Sequence, residues 1–153
     1  MEIVDFLETM RKECRVTHSM RERLEELGRN TGLHSMRFMD KVDGGERRSF
    51  VESHAEELEE QRAQFRREFN VLCDMRIKAH TIFRYLEPEE REILVYRYIL
   101  GKTWREVAAA ARCGRGTALK LDRAAVGKLG KRFPNGIPWE GGSPENGEET
   151  ARK

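Results

Sequence analysis

Three stretches of this chain repeat apolar residues at helical spacing, and the breaks between them divide it. Over residues 2–28, Ile3, Phe6, Met10, Thr17, Met20, Leu24 and Leu27 fall on a spacing of three and four, doubled once to seven between Met10 and Thr17, with Cys14 beside the stripe and charged residues around it. That spacing predicts one amphipathic helix ending at Gly28. Residues 29–46 lose the period and contain Gly32, Gly44 and Gly45, which predicts a loop with one helical turn around Leu33–Met39. From Phe50 the period returns: Val51, Leu58, Phe65, Leu72, Ala79 and Leu86 recur every seven residues, and His54, Gln61, Met75 and Ile82 fill the intermediate positions. Nothing between Arg47 and Leu86 breaks a helix, and such a run would span about 60 Å at the usual rise. Successive heptads predict coiled-coil-like packing, with the first helix as antiparallel partner. The second helix outruns the first in this reading, so a homodimer through the second helix is expected.

The third stretch is built of shorter pieces. Glu87-Pro88 punctuates the chain and starts a new helix over 88–100, in which Ile93, Leu94, Tyr96, Ile99 and Leu100 are apolar. Gly101 suits the left-handed end of that helix. Thr103 followed by Glu106 is a capping box. Val107 and Ala111 then share a face, and the alanines from 108 to 111 keep the helix slim. Arg112-Cys113-Gly114 makes a turn. A second helix follows, with Ala118, Leu121, Ala125 and Leu129 toward a core and Arg115, Thr117, Lys120, Arg123 and Lys128 on its other sides. Two short helices, a tight turn and a basic outer face are what a helix entering the major groove requires. Trp104 is expected as a wedge in that small core. The expected fold is therefore all-α: a helical hairpin over 1–86, a helix-turn-helix DNA-binding domain over 87–132, and a disordered tail over 133–153, where Pro134, Pro138 and Pro144 alternate with glycines and acids.

Charge follows the same division. Residues 87–133 hold 11 Lys/Arg against 6 Asp/Glu, a balance of +5, inside a chain whose net charge is only +2. Residues 1–86 balance at −1 and residues 134–153 at −2. The positive field is concentrated where nucleic-acid contact is expected.

The run from Leu86 to Ala108, Leu-Glu-Pro-Glu-Glu-Arg-Glu-Ile-Leu-Val-Tyr-Arg-Tyr-Ile-Leu-Gly-Lys-Thr-Trp-Arg-Glu-Val-Ala, resembles the opening of the sigma factor region 4 fold. With the helices before it, the chain over residues 1–132 is similar to phage and prophage transcription regulators of the ArpU/RinA type. The resemblance implies a sequence-specific regulator of transcription acting on double-stranded DNA in the cytoplasm of a bacterial host, at the nucleoid. It brings in host RNA polymerase as a further partner. The matching recognition helix reads bases from near its start, which carries over to Arg115, Gly116, Leu119 and Lys120. Gly116 and Leu119 stand where polar residues are expected, and Gly114 stands where Ser or Thr commonly caps.

Other chemistry finds little footing. Gly101-Lys102-Thr103 ends like a phosphate-binding loop, but Tyr96 stands where that loop needs glycine. His18, His34, His54 and His80 lack metal-ligand spacing. Cys14, Cys73 and Cys113 form no Cys-x-x-Cys pair, which fits a reducing compartment. No catalytic residues, cofactor or metal are expected. No stretch approaches the apolar length of a membrane span, and the first residues lack the basic start of a secretory signal. Two other readings use the same features. A small terminase-type DNA-packaging subunit also joins a helix-turn-helix to oligomerising helices, and a helical adaptor could present the basic helix to an acidic protein.

Overall fold

A computed structural model describes the backbone of residues 1–39 and 44–139, and the side chains of residues 1–29 and 52–139. Its regular structure is entirely helical: α1 (Ile3–Met39), α2 (Gly44–Phe83), α3 (Pro88–Leu94), a π turn (Val95–Ile99) continuing α3, α4 (Trp104–Ala111) and α5 (Arg115–Arg132). No strand occurs among the described residues.

The first helix does not end at Gly28. It runs on through Gly32 to Met39, over the segment expected to be a loop. One glycine costs a helix interior about 1 kcal/mol against alanine, and no proline follows to stop it. α1 thus has 37 residues and α2 has 40. The length mismatch that argued for a second subunit is absent.

The chain divides into two compact units, one joining Met1–Arg15 to Asn70–Lys153 and the other covering Val16–Phe69. The boundary expected at 86/87 falls inside the first unit. Phe6, Leu7 and Met10 of α1 share a closed core there with Leu72, Met75, Ala79, Ile82 and Phe83 of α2. Leu94, Tyr98, Ile99, Ala125 and Leu129 complete it. Leu72 and Met75, on the stripe assigned to a homodimer, are 1% exposed within this chain's own core. A smaller cluster of Ile93, Val107 and Ala118 takes Trp104, Tyr96 and Leu121 at its edge. Trp104 is half-buried there, packed as the expected wedge.

In the second unit, Met20, Leu24, Leu58 and Phe65 are only half-buried, and no apolar side chain among the described residues is fully buried. Met20, Arg23 and Leu24 line a small cavity with Gln61 and Gln64. Phe65 and Phe69 stack with ring centroids 5.7 Å apart.

Residues 133–139 belong to the first unit's core, which corrects the tail expected from residue 133. The rest of that tail, 140–153, lies outside the described residues. Ile137 is buried, and its amide donates to the Met1 carbonyl at 2.7 Å while the Met1 nitrogen donates to the Ile137 carbonyl at 3.2 Å. Gly136 makes this approach possible. Its φ is +79°, and a Cβ there would lie 2.4 Å from the Met1 oxygen. Trp139 meets Phe6 edge-on at 5.7 Å, and Phe133 meets Tyr85 at 5.9 Å. The composition of the segment suggested solvent, but its apolar residues have partners at the start of α1 and the end of α2.

Ile137→Ala removes a buried branched side chain and should destabilise the protein by about 2–4 kcal/mol. Urea unfolding followed by circular dichroism measures it. A loss under about 0.5 kcal/mol would mean that 133–139 contributes nothing to the core.

Candidate nucleic-acid interface

The basic helix is positioned by a sequence of local stops and starts. Glu87 is extended and Pro88 occupies the first turn of α3, where its missing N–H leaves nothing unpaired. Behind it, Arg91 donates to the carbonyls of Phe83 (3.1 Å) and Leu86 (3.1 Å), closing the end of α2. The π turn adds a residue to the last turn of this helix, with the Leu100 amide reaching the Val95 carbonyl at 3.0 Å. Its final carbonyl, at Ile99, accepts from Arg76 Nη2 of α2 at 2.9 Å and from Cys14 Sγ of α1 at 3.6 Å. Gly101 follows at φ +70°, and a Cβ there would come within 3.1 Å of Cys14 Sγ.

Thr103 then caps α4, its hydroxyl accepting from the Glu106 amide at 3.3 Å. α4 stops through two bonds, Arg112 N to Ala109 O (3.3 Å) and Cys113 N to Ala108 O (3.0 Å). Arg112 is left-handed at φ 54° and ψ 44°, the conformation that ends many helices. Gly114 opens α5 with no side-chain cap, as the sequence implied.

α5 has a back, two ties and a front. Ala118, Ala125 and Leu129 form the buried back, with Leu121 half-buried beside them. One tie joins the Tyr98 hydroxyl, which donates to Asp122 Oδ1 at 3.0 Å. The other joins Lys128 Nζ to the buried Glu90 carboxylate of α3. Burial pushes the Tyr98 phenol up, and the neighbouring Asp122 charge adds to the shift. Burial also raises the Asp122 carboxyl, opposed by the Tyr98 hydrogen bond and the Arg97 charge. Arg97 itself is lowered by burial; it lies 4.6 Å over the Trp104 ring and donates to the Lys102 carbonyl at 3.0 Å.

The front carries most of the residues singled out in the sequence. Arg115, Gly116, Thr117, Lys120 and Arg123 are exposed, and Leu119 is half-buried at the margin. At about 100° per residue, Gly116, Lys120, Arg123, Gly127 and Gly130 share the outward side. Lys128 is set apart. Its ammonium is held by Glu90, and that hydrogen bond raises its pKa, so it acts between α3 and α5. Neither Glu90 nor Asp122 was singled out in the sequence. Their partners lie 38 and 24 positions away, and no local pattern marks the pairing.

The glycines of the front have no internal explanation. A Cβ at Gly116, Gly127 or Gly130 would meet nothing within 4 Å. A glycine in the middle of a helix costs roughly 0.5–1 kcal/mol relative to alanine, so at Gly127 the surface is kept low at the expense of helix stability, while Gly116 and Gly130 lie in the first and last turns of α5. Neither Lys120 nor Arg115 has an ion pair or hydrogen bond among the described residues. The front can therefore present donors to acceptor-rich edges and phosphates while letting the backbone come close.

Comparison with family models, with curated proteins and with solved structures found no match. Among the described residues, no group of His, Cys, Asp and Glu could hold a metal ion, and no helix is long and apolar enough to cross a membrane.

Gly127→Ala should stabilise the protein by about 0.5–1 kcal/mol, read as a higher urea midpoint with an unchanged slope; a loss of stability would show that the site is not open. The raised Asp122 carboxyl sets a second expectation. Because the folded state holds that proton more tightly, stability is greatest below the ordinary aspartate value of about 3.9 and falls as pH rises through the raised value. Asp122→Asn keeps an acceptor for Tyr98 and removes this term. The stability of the Asn variant relative to wild type should grow from about pH 4 toward neutrality; a gap that stays constant with pH would rule out burial of Asp122 as the cause.

Proposed function

We propose that this protein is a sequence-specific DNA-binding transcription regulator of phage or prophage origin. α3 to α5 act as a sigma region 4-like helix-turn-helix, carried on a helical hairpin of α1 and α2. α5 is the recognition helix. It enters the major groove by its first turn and outward side: Arg115 reaches base edges from the helix start and Lys120 from the outward side, Arg123 supports them, and Gly116 and Thr117 border the contact. The observation that carries this reading is the front of α5: lysine and arginine on a helix face flattened by glycines that nothing inside the protein requires. Long donors on a low surface suit a groove lined with acceptors. The ties from Tyr98 and Glu90 support it further, since a reading helix needs a fixed angle against its scaffold.

The concentrated +5 balance over residues 87–133 gives the attraction its long range. An acidic protein partner would also answer to that charge, but it gives no reason for a glycine-lined face. The regulator acts in the bacterial cytoplasm at the nucleoid, with host RNA polymerase as the partner through which bound DNA is read out.

The test is selection of bound genomic fragments followed by titration on the selected site. Arg115→Ala and Lys120→Ala should each weaken binding to that site by roughly 1–3 kcal/mol and relax base preference at one position. Wild-type binding should weaken steeply with salt, with a log–log slope of about −0.9 for each of roughly 4–6 phosphates neutralised. Equal losses on selected and random duplexes would remove base reading from these residues, and a flat salt response would remove DNA as the partner.

A further inference from the structure

Arg112 holds a backbone conformation for which an arginine is a poor choice. It is the one residue other than glycine with positive φ among the described residues. Left-handed geometry crowds a Cβ against the next carbonyl, and glycine escapes that crowding. The side chain returns nothing to its own fold: it is exposed, with no hydrogen bond or ion pair among the described residues. A strained position that the surroundings do not repay points to a use outside the fold.

Arg105 makes the position part of a row. It is exposed on α4, seven residues before the left-handed Arg112 that closes that helix, with exposed Ala109 between them in the chain. Arg105 likewise has no ion pair or hydrogen bond among the described residues. The neighbouring Glu106 is adjacent in sequence and points elsewhere on the helix. On the far side of the turn, Arg115 follows Arg112 by three residues, within roughly 11 Å of chain. Guanidinium groups fit phosphate oxygens through paired donors, better than a point charge does.

We propose that Arg105 and Arg112 form a second contact row that grips the sugar–phosphate backbone beside the groove that α5 enters. Arg112 is retained there against the preference of the helix stop. This proposal rests on α5 reading duplex DNA. The row carries no sequence information; it fixes the register and angle of α5 on the duplex.

The test uses the full chain, a mixed-sequence duplex in a sodium chloride series followed by fluorescence anisotropy, and thermal unfolding of each variant. Arg112→Gly should raise Tm by about 2–4 °C. It should also weaken duplex binding by roughly 3- to 10-fold and make the log–log salt slope shallower by about 0.9. Arg112→Asn, also tolerant of left-handed backbone, should lose the same affinity with a smaller gain in Tm. Arg105→Ala should shift affinity and salt slope the same way with Tm unchanged. If both Arg112 variants bind as wild type while Lys120→Ala weakens binding, the contact row is wrong and DNA reading by α5 stands. A fall in Tm for Arg112→Gly would remove the strain on which the proposal is built. Absence of wild-type binding to any duplex would overturn this proposal and the DNA-binding function together.

Discussion

The carbonyl of Ile99 is the point on which the first unit is assembled. Ile99 is 5% exposed, at the end of a π turn, and a buried carbonyl without a donor is costly. Its main donor is the Arg76 guanidinium, which comes from α2 at 2.9 Å, and Cys14 approaches from α1. Both long helices are thereby held against the end of the α3 segment. The same sulfur would crowd a Cβ at Gly101, and the chain turns left-handed there, φ +70°, on its way into α4. Thr103 caps α4 two residues later. The orientation of α4, and through it of α5, follows from one buried acceptor and the groups that converge on it.

From that junction outward, the structure places stability and surface in opposition. The back of α5 is packed and its flanks are tied by Asp122 and Lys128. Its front holds three glycines in open space, and the turn before it holds an arginine in a left-handed conformation. Each of these is a worse local choice than a common alternative. Apart from Gly28 of α1, which is equally open, they gather in one region among the described residues, whereas the stops at Gly101 and Gly136 obey local preference and have steric reasons inside the fold. Departures that cluster on a surface and lack internal cause are what a binding face leaves in a sequence.

Much of the first unit was legible because its signals are local. The start at Pro88, the cap at Thr103, the turn at 112–114 and the buried positions of α5 each depend on neighbours within a few residues. Three features were not legible. The continuation of α1 past Gly28 was hidden because loss of apolar period and a few glycines weaken a helix without ending it. The burial of Ile137 depends on Met1, 136 positions away, and its prolines and glycines look like solvent-exposed chain. Lys128 sits on the basic helix like its neighbours, and only the fold brings the Glu90 carboxylate to it. On the front of α5, residue type and exposure agree with the sequence. There Gly116, which departs from the polar residue expected, takes on a physical meaning only once the space around it is seen, and Gly127 and Gly130 join it only in the fold.

The pairing of Met1 with Ile137 also bears on the order of events in synthesis. One edge of the first core is encoded more than a hundred codons before its closing piece, with residues 16–69 forming a separate unit in between. Phe6, Leu7 and Met10 must leave the ribosome before any of their core partners exists. Elongation at roughly 5–20 residues per second leaves that apolar surface uncovered for several seconds. Local helices can form as they emerge, but the core cannot close until residues 133–139 arrive. The early exposure of these residues makes translation speed and chaperone access part of what this sequence has to accommodate.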